Sequence, residues 1–93
     1  NNDYTYYHLS DFKSFTAREL FVDALEVKKQ LNNTEEELAL KRSQYATASS
    51  TNQSSLTTEI LLLEKKVTAL HDQYKVMKVH ARNAEIKYIN PLN

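Results

Sequence analysis

Glycine is absent from all 93 residues of this chain, and Pro91 is its single proline. Turns that need positive φ recruit glycine, and β-rich folds use many such turns. A chain without glycine therefore has few ways to reverse direction tightly. Leu, Glu, Lys and Ala are plentiful, and all are good helix formers. The expectation is an all-α chain with very few turns. The same absence removes the phosphate-cradling loop and the serine elbow, both of which are built on glycine.

The second half carries a regular apolar pattern. Leu56, Ile60, Leu63, Val67, Leu70, Tyr74, Met77, Ala81, Ala84 and Tyr88 alternate spacings of four and three. An average of 3.5 residues is the seam of a helix packed lengthwise on another helix, whereas a lone amphipathic helix drifts at 3.6. Asn90-Pro91 ends it, because proline moves the preceding residue out of the helical region.

The first half opens on Thr16 and Glu19, which read as a capping box, with Phe15 and Leu20 as the flanking hydrophobic staple. Ala17, Leu20, Ala24, Val27, Leu31, Thr34, Leu38, Lys41 and Tyr45 then repeat the four-three spacing. Asn32-Asn33 could stop a helix and Thr34 restart it, but the seam keeps its phase across them, so one helix is expected. Between the halves lies the polar stretch "ATASSTNQSS". Short connections join antiparallel helices, and this stretch reads as the turn of a hairpin.

The expected fold is an antiparallel two-helix coiled-coil hairpin that assembles into a four-helix or larger bundle. Its parts are an aromatic arm over 1–15, a first helix over 16–48, a polar turn over 49–55 and a second helix over 56–90. In the matching register Tyr45 faces Leu56, Lys41 faces Ile60, Leu38 faces Leu63 and Leu20 faces Ala81. Glu37 would then face Lys66, and Glu35 would face Glu64.

A second apolar set does not fit the seam. Phe21, Val22 and Leu25 on the first helix, and Val76, Val79, Ile86 and Ile89 on the second, all gather toward the open end. Two helices have no interior for a second stripe, and exposed apolar surface of this kind marks an interaction site. The expected contact residues are Phe21, Val22, Leu25, Val76, Val79 and Ile86. Either a second helical protein chain covers them, or the arm does, with Tyr4, Tyr6, Tyr7, Leu9, Phe12 and Phe15.

No catalytic arrangement is visible, and no enzymatic role, cofactor or metal is expected. His8, His71 and His80 lack the spacing of a helical zinc pair, and there is no cysteine. The lack of cysteine fits a reducing, cytoplasmic compartment. Twelve basic and twelve acidic residues cancel, without the basic excess expected of a nucleic-acid binder. Lys75, Lys78 and Arg82 share one helix face, so contact with an anionic membrane surface is the alternative to a protein partner. Glu35, Glu36 and Glu37 read as a solvated face. No apolar run is long enough to span a bilayer, and a start at Asn1 is expected of a fragment or a processed form.

Overall fold

The computed structural model describes residues 8 to 92. Tyr4, Tyr6 and Tyr7 of the aromatic arm lie outside the described residues. A single 3₁₀ turn, Leu9–Asp11, precedes two long helices, α1 (Phe15–Thr47) and α2 (Ser50–Ile89). No strand occurs among the described residues. The helices pack against each other as a helical hairpin. α1 passes through Asn32-Asn33 without a break.

The reversal is tighter than the polar stretch implied. Only Ala48 and Ser49 lie outside helix, and Ser50 to Ser55 form the opening turns of α2 rather than a loop. Ser49 explains this: its Oγ accepts the Asn52 N–H at 3.4 Å and its carbonyl accepts the Gln53 N–H at 2.8 Å. Serine at a helix N-cap satisfies donors the helix itself leaves unpaired. The Gln53 side-chain amide reaches back to the Tyr45 carbonyl at 3.1 Å, tying the two helix ends together. No described residue has positive φ, so the chain reverses with no need for the glycine it lacks.

Two compact units share these helices. One comprises 28–72. Leu31, Thr34, Leu38, Leu56 and Leu70 are buried in it, and Ile60, Leu63 and Val67 are half-buried. Thr34 hides its hydroxyl by donating to the Gln30 carbonyl at 2.8 Å, the back-bond that lets a polar residue sit inside a helix seam. Lys41 is only half-buried, and its Nζ lies 2.8 Å from Glu59 Oε1. Arg42 Nη2 lies 2.7 Å from Glu64 Oε2, so Glu64 is held by an arginine rather than set against Glu35. Tyr45, expected inside, is exposed.

The hydrogen bond and opposite charge of Glu59 hold the Lys41 ammonium above its ordinary pKa. A raised lysine pKa means that the contribution is complete at neutral pH and is lost only as pH rises through the folded-state value. A partly exposed pair of this kind stabilises little. Lys41→Met, which keeps the apolar stem, is expected to leave the urea unfolding midpoint at neutral pH nearly unchanged. Urea unfolding followed by circular dichroism checks this; a clearly lowered midpoint would contradict it.

Among the described residues, the other unit comprises those up to Val27 together with 73–92. Its core is Phe12, Ala17, Phe21 and Ala81, with Leu20 and Ala84 packed against it. Here the simple two-helix seam gives way. Phe21 rather than Leu20 is fully buried, Glu85 joins the buried face of α2, and Tyr88 lies exposed. The cause is Phe12, whose ring sits 4.8 Å from that of Phe21 and adds a third element to the core.

Candidate interaction faces

The open end is organised around one buried carboxylate. Glu85 is 2% exposed. It accepts the Lys13 N–H at 2.9 Å on Oε1 and 3.0 Å on Oε2, and the Ser14 N–H at 2.8 Å on Oε1. Ser14 is the N-cap of α1: its Oγ accepts the Ala17 N–H at 3.2 Å and its carbonyl accepts the Arg18 N–H at 3.0 Å. In a local capping box, a Glu or Gln three residues after the cap would accept the cap's own N–H. Here that position is Ala17, which is fully buried against the core and leaves no room for a carboxylate. Glu85 supplies it from the other helix, and its negative charge sits where a helix N-terminus favours one.

This corrects the capping expected at Thr16 and Glu19. Both are exposed, and α1 begins one residue earlier, at Phe15. Phe15 is 74% exposed and forms no staple. Arg18 Nε donates to the Phe12 carbonyl at 2.7 Å, a second tie on the segment that delivers Phe12. The described part of the arm thus divides: Phe12 enters the core, while Leu9 and Phe15 remain at the surface.

Among the six expected contact residues, Phe21 is core and cannot meet a partner; burial under Phe12 removes it from the surface. Val22, Leu25, Val76 and Val79 are 48%, 39%, 52% and 37% exposed. Ile86 is half-buried, and Ile89 is exposed. These residues do not form one patch. At about 100° per residue, Val22 stands nearly opposite buried Ala24 around α1, and Val79 nearly opposite buried Ala81 around α2. The buried sides of the helices face each other, so Val22 and Val79 point outward in opposite directions. The open end has two outer faces rather than one apolar surface.

The face of α1 carries Phe15 and Val22, seven residues apart, with Glu19 and Glu26 on one flank, Arg18 on the other and Asp23 at the edge. A shallow hollow lined by Thr16, Glu19, Leu20, Val22 and Asp23 runs along it. Phe15 was missed as a surface residue because its spacing also suits a staple; its seven-residue distance from Val22 was the available signal. The face of α2 carries Val76, Val79 and Ile86, flanked by Lys75, Arg82 and Lys87. Lys78 lies 4.7 Å from the centre of the Tyr74 ring, a cation–π contact. The one acidic residue in 73–92 is Glu85, which is buried, so every exposed charge on this stretch is basic.

The α1 face therefore mixes apolar residues with charges of both signs, and the α2 face is apolar and basic. Glu19, Asp23, Glu26, Lys75, Arg82 and Lys87 form no ion pair among the described residues. His8, His71 and His80 are exposed, and no group of three or more potential metal ligands comes together among the described residues. No described helix is long and apolar enough to cross a membrane. No protein family matches the chain, and no curated protein or solved structure is significantly similar to it.

Proposed function

We propose that this chain is a non-enzymatic assembly module, a helical hairpin that associates with helical protein through the outer faces of its open end. The observation that carries the reading is the exposure of Val22, Val76 and Val79 on the backs of helices whose inward sides are already filled. Apolar side chains repeated at helical spacing on a solvent-facing side lose that solvent only by packing on another surface. Assembly into a four-helix or larger bundle is one form such packing takes. The acidic flank of α1 favours protein over an anionic bilayer, which Lys75, Lys78 and Arg82 would otherwise suit.

Val79→Glu tests the reading. Light scattering behind a sizing column, over about a tenfold concentration range, should show association by the wild type and its loss in the variant. Helicity by circular dichroism should be unchanged. If Val79→Glu instead unfolds a chain that was monomeric, Val79 is core and the reading fails. Salt-sensitive co-sedimentation with anionic vesicles, by a wild type that stays monomeric, would move the function to the membrane surface.

A further inference from the structure

We draw no further inference here: the strongest candidate, the pair of outer helix faces at the open end around Val22 and Val79, carries no proposal because nothing in the structure shows what covers it.

Discussion

Glu85→Ala is expected to lower the unfolding free energy by about 3 kcal/mol, a large share of the roughly 5–10 kcal/mol available to a domain of this size. The carboxylate accepts from two backbone N–H groups that have no other acceptor within the helix. Hydrogen bonds to a charged group contribute about 1.5–3 kcal/mol, and a buried donor left without a partner costs about 1–3 kcal/mol. Truncation to alanine also empties the space between the segment before α1 and the end of α2. Glu85→Gln, which keeps one carbonyl oxygen but loses the charge, should cost about half as much. Urea unfolding at dilute concentration measures both, and exposed Glu26→Ala is the control, with a change below about 0.5 kcal/mol. A cost below about 1 kcal/mol for Glu85→Ala would show that the clasp adds little to the fold. Native-state hydrogen exchange offers a second view: the Lys13 and Ser14 amides should lose protection first in the variant.

Phe12→Ala should cost about 3 kcal/mol and Phe21→Ala about 4 kcal/mol, the range for emptying the site of a buried phenylalanine. Both side chains are almost fully buried, and their rings are in contact. Because they touch, the double variant should cost less than the two single losses together, with a coupling of about 1 kcal/mol. Phe15→Ala, three residues from Phe12 and on the surface, should change the monomer's stability by less than about 0.5 kcal/mol. Thermal unfolding of the four variants decides the matter. If Phe12→Ala costs no more than Phe15→Ala, the segment before α1 is an ornament on a two-helix seam and not a third element of the core.

The contrast between Phe12 and Phe15 shows where sequence reasoning reaches its limit. Both are apolar, both precede the first seam, and no periodic pattern separates them. Phe12 is inside because Glu85, over seventy residues later, holds the backbone of Lys13 and Ser14 against α2. That contact is invisible to local pattern. Glu85 itself reads in sequence as one more charged residue on a solvated helix. The local capping signal at Thr16 and Glu19 was sound chemistry, but the cap formed two residues earlier, at Ser14, where Glu85 of the other helix accepts the backbone N–H. The burial of Phe21 beside half-buried Leu20 follows from the same event, since the buried face of α1 widens toward the side on which Phe12 packs.

The outer faces of the open end were half legible. Val22, Val76 and Val79 could be picked out because they break the four-three spacing, and they are exposed. Their division between two outer faces needed the orientation of each helix, which follows from the buried positions Ala24 and Ala81.

The sequence by itself determined that this chain is helical, that it reverses once, and that each helix buries one seam along most of its length. Those properties follow from helix propensity, the absence of glycine and the 3.5-residue repeat, all of them local and read along the chain. The tertiary structure alone decided what fills the open end, where α1 begins, and which way each leftover apolar residue points. These depend on a carboxylate and a phenyl ring far apart in sequence reaching the same few ångströms of space, and distance along the chain carries no record of that.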